Sequence, residues 1–360
     1  GLYVYLRAAF GESVGFLYGW GLLSLIHSGS IATLASAFGL YASQLFPLSG
    51  TAEKLAGITT ILLLTLLNSF GLRAGKWTQN VVTGSKVGGI ALMVVLLFAS
   101  SRKPDFNVAS KPGPPLALAI GAALVAVLWA YEGWHTVSFT SAEFRNPVRD
   151  FPRSMYWGAA ALVTIYLCAN LAYFHVLSPG QLQATDRPAA LAVQSAYGGP
   201  AAALITALIV ISILGAMNGM VLTGARVYYA MARDGVFFAP FGRLNAARVP
   251  MFSLLVQGVW ASCLTLAGSF QQLFTYVIFT AWIFYGMSVF AVIVLRRTAP
   301  GLPRPFRTPG YPLVPILFSL AALFIAVVTV ANGPLRAFYG IALILIGLPV
   351  YWLRFRRRTA

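Results

Sequence analysis

Long apolar runs, separated by short segments rich in proline, glycine and charge, dominate the pattern of the sequence. Ten such runs can be drawn, and most are long enough to cross about 30 Å of hydrocarbon as helices. Backbone polar groups find no water at that depth, so helix is the structure that suits runs this continuous. The runs cover residues 14–41, 55–72, 81–100, 116–140, 156–177, 200–231, 252–268, 273–295, 312–332 and 338–353. The pattern predicts an all-α polytopic membrane protein.

Composition and charge agree with that prediction and orient the chain. Of the 360 residues 59% are hydrophobic and 9% are charged, which excludes a soluble enzyme and a disordered chain. The formal net charge of +17 would otherwise suggest a nucleic-acid partner. With Lys86 and Arg226 set aside because they lie inside runs, 17 basic residues fall on one side of the predicted membrane and 6 on the other. We therefore expect a lipid bilayer, no nucleic acid, and both ends of the chain on the cytoplasmic side.

Cysteine and histidine usage gives no sign of a cofactor. Cys168 and Cys263 lie in apolar runs without neighbouring ligand residues, so we expect neither a disulfide nor a metal site. Three dispersed histidines make no metal site. His27 suits a hydrogen-bonded core position better than a proton relay. His135 and His175 lie nearer run ends and could be wet, that is, in contact with water. No motif of a catalytic nucleophile or of a metal-ligand set occurs. We expect no cofactor and no enzymatic activity.

Glu132 is the most informative polar residue, because ionisable groups at membrane depth are costly. It lies deep in the fourth run, between Tyr131 and Gly133 and close to two tryptophans. Gly133 lowers helix propensity and indicates a kinked or unwound segment, which is tolerated where it faces a cavity. Glu132 could line a substrate or proton site, or it could be a protonated side chain bonded to a neighbouring helix.

Two further polar residues lie inside the runs. Lys86 could extend to the cytoplasmic surface, or it could be a buried ammonium near a transport pathway. Asn218 needs a partner on another helix or on a ligand. Around it, Gly215, Gly219 and Gly224 allow close packing between helices.

Three segments resemble the amino acid–polyamine–organocation superfamily. Residues 130–134 (AYEGW) with 139–154 (FTSAEFRNPVRDFPRS) look like its sixth-helix signature. Residues 224–235 (GARVYYAMARDG) are similar to the end of its eighth helix. Residues 3–11 (YVYLRAAFG) with 15–20 (GFLYGW) resemble the start of its third helix. Order and spacing agree along the whole chain, and the L-type exchangers with their bacterial relatives are most similar.

The resemblance implies a fold and a set of site residues. The ten runs would be family helices 3 to 12 of a LeuT-like five-plus-five inverted repeat with two extra C-terminal helices, forming one transmembrane domain over residues 1–360. Broken helices bind substrate near the midplane in such transporters. The residues carried over as substrate-binding are Ile26, Ser30, Trp129, Ala130, Tyr131, Glu132, Gly133 and Asn218, with Trp129 as an aromatic gate. Lys86 matches a lysine that occupies the equivalent of a sodium site, which makes Lys86 and Glu132 the coupling candidates.

The resemblance also shapes the functional hypotheses. The leading one is a secondary transporter of amino acids, neutral ones favoured, working by alternating access as an exchanger or a proton-coupled symporter in a bacterial cytoplasmic membrane. The alternatives are a cationic amino acid or polyamine antiporter, a membrane-embedded enzyme, and a non-transporting remnant. We expect the first two family helices to be missing from the chain, which alone should then not transport. The outer loop at 41–54 has no cysteine, so no disulfide-linked heavy subunit is expected.

Overall fold

The computed structural model describes residues 1–71, 76–103 and 115–355, without the side chains of 76–82, 140–143 and 335–336. All described regular elements are helical. In chain order they are α1 (Leu2–Phe10), α2 (Glu12–Gly21), α3 (His27–Ala42), α4 (Gly50–Ser69), α5 (Lys76–Ala99), α6 (Leu116–Ala130), α7 (Pro147–Val176), α8 (Pro179–Gln183), α9 (Pro188–Tyr197), α10 (Gly199–Arg233), α11 (Met251–Ala267), α12 (Phe270–Thr298), α13 (Leu313–Asn332), α14 (Pro334–Leu345) and α15 (Gly347–Arg354). A π-helical turn, Leu22–Ile26, joins α2 to α3, and 3₁₀ helices cover Trp134–Glu143 and Ala239–Gly242.

The helices reproduce the ten predicted spans. Within the described ranges, seven helical stretches are long and apolar enough to cross a membrane, namely Glu12–Ala42, Gly50–Ser69, Pro147–Val176, Gly199–Arg233, Phe270–Thr298, Leu313–Asn332 and Ala337–Arg354. Three shorter apolar helices, Thr83–Ala99, Leu116–Ala130 and Met251–Ala267, fall on the remaining predicted spans. The all-α polytopic fold predicted from the sequence is confirmed. Five of the basic residues used for the orientation lie outside the described part, namely Arg73, Lys111, Arg356, Arg357 and Arg358.

Two predicted spans are interrupted. The fourth was drawn as one helix to residue 140, but α6 ends at Ala130 because Gly133 adopts a φ of 104° that breaks the helix. The chain then continues as the 3₁₀ helix. The last span is divided by a turn at Ile346 into α14 and α15. The fourth span therefore crosses in two parts, and its break lies where Gly133 indicated a kink.

The stretch formed by α2, the π-helical turn and α3 is the centre of the protein. In its most apolar segment 78% of the residues are buried, against 17% for α7. α3 packs against α4, α10, α11 and α12, and α4 in turn packs against α10 and α11. Under the family numbering, α3 and α10 are the third and eighth helices and α4 and α11 the fourth and ninth. Equivalent helices of the two repeats thus lie side by side, which fits an inverted repeat.

Helix ends are fixed by local polar contacts. The Asn146 side chain accepts from the Arg149 backbone N–H at the start of α7, and Ser269 forms a capping box with Gln272 at the start of α12. At the other end of α12, the guanidinium of Arg304 donates to the carbonyls of Leu295, Ala299, Pro300 and Leu302 at 2.7–3.2 Å. This fork ties the last turn of α12 to the loop that follows it.

Candidate functional site

The broken fourth span provides the framework of the site. α6 ends in a turn in which the Glu132 N–H donates to the Trp129 carbonyl at 3.0 Å, and the 3₁₀ helix starts at Trp134. The Ala130 carbonyl leaves the helical ladder and accepts from the Tyr166 hydroxyl of α7 at 2.8 Å. Ala130 is exposed and Gly133 is half-buried, and the Gly133 carbonyl accepts from both the backbone and the hydroxyl of Thr136. The break predicted from Gly133 is present.

Three side chains of the break point to different neighbours. The Trp129 ring stacks on Phe274 of α12 with centroids 6.3 Å apart, and the Tyr131 ring meets Tyr166 edge-on at 4.9 Å. The Glu132 side chain turns inward and is 4% exposed. The break therefore contacts α7 on one side and α12 on the other.

Glu132 belongs to a hydrogen-bonded group of three. The Tyr285 hydroxyl of α12 donates to Glu132 Oε1 at 2.5 Å and lies 2.9 Å from His135 Nδ1. His135 Nδ1 is 3.7 Å from the same carboxylate oxygen. His135 is 2% exposed, so the expectation that it could be wet is wrong: the 3₁₀ helix carries its ring inward against Tyr285. Among the described residues, this carboxylate has no lysine or arginine partner within salt-bridge distance.

Sequence reasoning missed Tyr285 altogether. The chain contains 16 tyrosines, so residue type alone did not distinguish it. The available signal was its position as a polar group near the middle of a predicted span. Fully buried polar groups in such spans must find partners on other helices.

His27 lies beside this group on the central helix. It is 1% exposed, and its Nδ1 is 3.4 Å from the Met220 carbonyl of α10. Its ring centroid is 6.4 Å from that of His135, and the Phe139 ring lies close to both. Gly224 is needed here because a Cβ would come within 2.8 Å of His27 Nδ1. The core position expected for His27 and the packing role expected for Gly224 are both observed.

The remaining candidates on the central helices are bonded within the protein. Ile26 is 1% exposed and belongs to the same apolar cluster as Tyr285, with Trp129 and Phe139 at its edge. The Ser30 hydroxyl donates to the Ile26 carbonyl at 2.7 Å. The Asn218 amide oxygen accepts from Asn68 Nδ2 of α4 at 2.7 Å, so Asn218 has its partner on another helix.

Lys86 lies apart from the Glu132 group. It is half-buried and lines a cavity of about 410 Å³ between α5, α7 and α10, together with Ser85, Tyr166, Tyr173 and Ser212. Tyr166 also donates to the Ala130 carbonyl, so this side chain contacts both the cavity and the break. The structure thus brings Lys86 to a cavity next to the break but not into contact with Glu132.

The site offers polar groups for binding and proton transfer. Within the described part of the chain, no group of three or more His, Cys, Asp or Glu side chains could hold a metal ion. What the arrangement provides is a partly exposed helix break, aromatic rings, and one buried carboxylate in a hydrogen-bonded group.

Comparison with known proteins identifies the family. The family model described as amino acid permease matches residues 1–348. The serine/threonine exchanger SteT of Bacillus subtilis is 31% identical over all of this chain and 83% of its own length. The b(0,+)-type amino acid transporter 1 of Mus musculus is 29% identical over 98% of the chain and 74% of its own length. The large neutral amino acids transporter small subunit 2 of Homo sapiens is 28% identical over 98% of the chain and 68% of its own length.

These matches agree with the resemblance drawn from the three sequence segments, and they cover the ten spans and the broken helix. The chain is therefore an integral, multi-pass membrane protein that belongs to the amino acid permease family of the amino acid–polyamine–organocation superfamily, and it is an amino acid transporter, not an enzyme.

Proposed function

We propose that this transporter moves neutral amino acids by alternating access, as an exchanger or a proton-coupled symporter. The observation that carries the proposal is the break at residues 131–133, which interrupts a helix in the middle of an apolar span. Irregular backbone at membrane depth persists only where it lines a cavity or is buried in protein. In secondary transporters such a break is where the charged ends of a substrate bind.

The proposed substrate contacts extend from this break. Trp129, Ala130, Tyr131, Glu132 and Gly133 would contribute the broken helix. Ile26 and Ser30 on the central helix and Asn218 on α10 would face the side-chain pocket. The bond to Asn68 uses the Asn218 oxygen, which leaves the N–H groups of this amide for a ligand.

The state of Glu132 favours neutral substrates. Its side chain is buried, accepts from the Tyr285 hydroxyl and faces His135, so its contacts lie inside the protein and not with a substrate side chain. The other candidate contacts are mostly apolar or aromatic. Two of the relatives are named for serine and threonine or for large neutral amino acids, which agrees with this preference. The cationic amino acid or polyamine alternative is not favoured.

The test is exchange in proteoliposomes. The full-length protein, purified and reconstituted with internal amino acid, should take up labelled serine, threonine or leucine in counterflow, and excess unlabelled neutral amino acid should compete. Arginine and putrescine should compete weakly. Counterflow with arginine or putrescine and none with neutral amino acids would reverse the specificity, and no counterflow with any of them would refute the proposal.

We propose Lys86 and Glu132 as the coupling residues. Lys86 lines a cavity whose wall includes Tyr166, the partner of the Ala130 carbonyl, and Glu132 is the buried carboxylate of the break itself. Lys86→Ala should reduce turnover. Lys54→Ala is the matched control, because the Lys54 ammonium donates to the Leu266 carbonyl at an exposed helix end. Equal rates in both variants would show that Lys86 merely extends to the surface.

The proposed orientation in the membrane follows the unequal distribution of basic residues between its two sides, 17 against 6. We propose a single transmembrane domain over residues 1–360 in a bacterial cytoplasmic membrane, with both ends of the chain cytoplasmic and no nucleic acid or disulfide-linked heavy subunit as partner. In a background with Cys168 and Cys263 replaced by Ser, Gly301→Cys should react with an impermeant thiol reagent only from the cytoplasmic side, and Asp186→Cys only from outside. The opposite pattern would invert the topology.

A further inference from the structure

A second cavity adjoins the Glu132 group on the side away from Lys86. It has a volume of about 310 Å³ and lies between the 3₁₀ helix, α12, the start of α7 and α1. His135 and Tyr285 line it, together with Ser138 and Ser288, and the rest of its wall is mostly apolar. It extends along α12 to Leu295, which is the cytoplasmic side in the predicted orientation.

Polar atoms around this cavity lack internal partners. Among the described residues, His135 Nε2, Ser138 Oγ and Ser288 Oγ are buried without a hydrogen bond. A water molecule is stable in a cavity where two to four polar groups can bind it, and each takes up about 30 Å³. The cavity is large enough for several waters, but the three atoms are buried behind its wall, so a small movement of the wall is needed before water reaches them. With that movement, the unbonded Nε2 of His135 is the atom at which the hydrogen-bonded group would exchange a proton with water.

The same group has two equivalent hydrogen-bonding arrangements. With Glu132 ionised, the Tyr285 hydroxyl donates to the carboxylate and His135 donates its Nδ1–H to the Tyr285 oxygen. With Glu132 protonated, the carboxyl donates to the Tyr285 oxygen, the hydroxyl donates to His135 Nδ1, and the hydrogen is on Nε2. The distances of 2.5 Å and 2.9 Å suit both arrangements, because a hydroxyl donates once and accepts as well.

We propose that His135 and Tyr285 relay a proton between this cavity and Glu132, which makes amino acid transport respond to a pH gradient. This inference rests on the proposed function. In this relay His135 and Tyr285 carry the proton. Glu132 accepts it at the helix break, where the substrate is proposed to bind.

In the relay one proton enters at His135 and one proton arrives at Glu132, so the number of protons is conserved. A proton from water in the cavity binds His135 Nε2, and an N–H bond forms there. The Nδ1–H bond breaks as its proton moves to the Tyr285 oxygen, and the original hydroxyl proton moves to Glu132 Oε1. His135 and Tyr285 end neutral, in the second arrangement, and Glu132 ends as a neutral carboxyl. The reverse sequence returns the proton to the cavity.

Other titratable groups face the relay from the helices packed around it. They are Tyr18 of α2, His27 of α3, Tyr228 of α10 and, across the cavity, Tyr5 of α1. Tyrosines stay neutral at physiological pH. His27 is the one neighbour in this set that could change charge there, and its ring is 6.4 Å from that of His135.

The experiment compares two rates in the same proteoliposomes. The full-length protein is tested for labelled serine counterflow at equal pH, and for net serine uptake driven by a pH gradient imposed in either direction. The quantity measured is the ratio of gradient-driven uptake to counterflow. Tyr285→Phe removes the middle group and His135→Gln removes the titrating ring. Tyr276→Phe on the same helix and His175→Gln on α7 are the matched controls.

We expect gradient-driven uptake in the wild type, and a ratio about 100-fold lower in Tyr285→Phe and His135→Gln, the scale of lost acid–base assistance. The two controls should keep the wild-type ratio. A wild-type ratio in Tyr285→Phe would overturn the relay. So would serine counterflow with no gradient-driven uptake in the wild type, and that result would leave the proposed function standing. Absence of all counterflow would instead refute the proposed function.

A spectroscopic measurement keeps the test decisive if His135→Gln does not fold. Infrared difference spectra recorded across a pH change should show a carboxyl band that disappears in Glu132→Gln. In Tyr285→Phe that band should persist but titrate at a different pH, because its hydrogen-bond partner is gone. A band with an unchanged titration would show that Tyr285 only packs against the carboxylate.

Discussion

The packing of α3 against α4 gives the sharpest prediction about stability. The two helices approach through a reciprocal pair of glycines: Gly39 of α3 lies against the Glu53 carbonyl of α4, and Gly57 of α4 lies against the Ala35 carbonyl of α3. Small residues at such crossings let backbones approach closely, which stabilises helix pairs in membranes. Gly57→Ala should therefore force the central helix away from its neighbour.

The size of the effect follows from the geometry. A Cβ on Gly57 would lie 2.5 Å from the Ala35 carbonyl oxygen and 2.9 Å from its carbon, where ordinary contact begins at 3.4 Å. Because these are backbone atoms, no side chain can rotate away, and we take the upper end of overpacking costs, about 3 kcal/mol. The higher helix propensity of alanine offsets about 1 kcal/mol of this cost. The expected net loss of unfolding free energy is therefore about 2 kcal/mol.

The assay is the apparent unfolding temperature in detergent, followed by tryptophan fluorescence. We expect Gly57→Ala to lower it by about 4 °C or more, on the usual scaling for large domains. The matched control is Gly158→Ala on α7, where a Cβ meets nothing within 4 Å, and this variant should be neutral or slightly more stable. If Gly57→Ala behaves like Gly158→Ala, the close approach of α3 and α4 is wrong.

Other contacts give further predictions. Asn68→Ala and Asn218→Ala should each destabilise the protein, and a double-mutant cycle should give a coupling of about 0.5–1.5 kcal/mol for their hydrogen bond; strict additivity would contradict the bond. Arg304→Lys should lower the unfolding temperature as Arg304→Gln does, because a lysine cannot reproduce the fork that binds four carbonyls; full retention of stability by lysine would show that charge alone matters. Burial raises the pKa of Tyr3 in α1 to about 12 from an ordinary 10.0, so its neutral form contributes stability that is present below pH 10 and lost as the pH rises towards 12. Tyr3→Phe should accordingly lose less stability than the wild type across that pH interval, measured as unfolding temperature, and equal losses would contradict the shift.

The spans and the helix break could be predicted from the sequence because both depend on local properties. A continuous apolar run needs only its own length to indicate a membrane helix. Gly133 carries its conformational freedom wherever the chain places it, and the broken fourth span followed from it. Glu132 stood out for the same reason, since a carboxylate in an apolar run is unusual whatever surrounds it.

The partners of those residues could not be predicted, because they depend on which helices pack together. Tyr285 is separated from Glu132 by 153 positions, and Asn68 from Asn218 by 150. The burial of His135 depends on the direction in which the 3₁₀ helix continues after the break. No periodicity within one run carries that information, so this histidine near a run end could be interpreted as wet.

The burial of Glu132 connects the architecture to transport. A carboxylate at this depth is expensive, and burial is usually tolerated when a basic residue pairs with it. Here, among the described residues, the side chains at Glu132 Oε1 are a hydroxyl and an imidazole, both neutral or able to become so, and the backbone N–H of Gly133 also bonds the carboxylate. Such partners accept the ionised and the protonated carboxyl alike, whereas a lysine or arginine would hold it permanently ionised. A carboxylate with these partners can gain and lose a proton, and its negative charge does not require a cationic substrate to neutralise it. The neighbours Tyr285 and His135 therefore agree with the proposed neutral amino acid as substrate and with the proposed passage of a proton through Glu132.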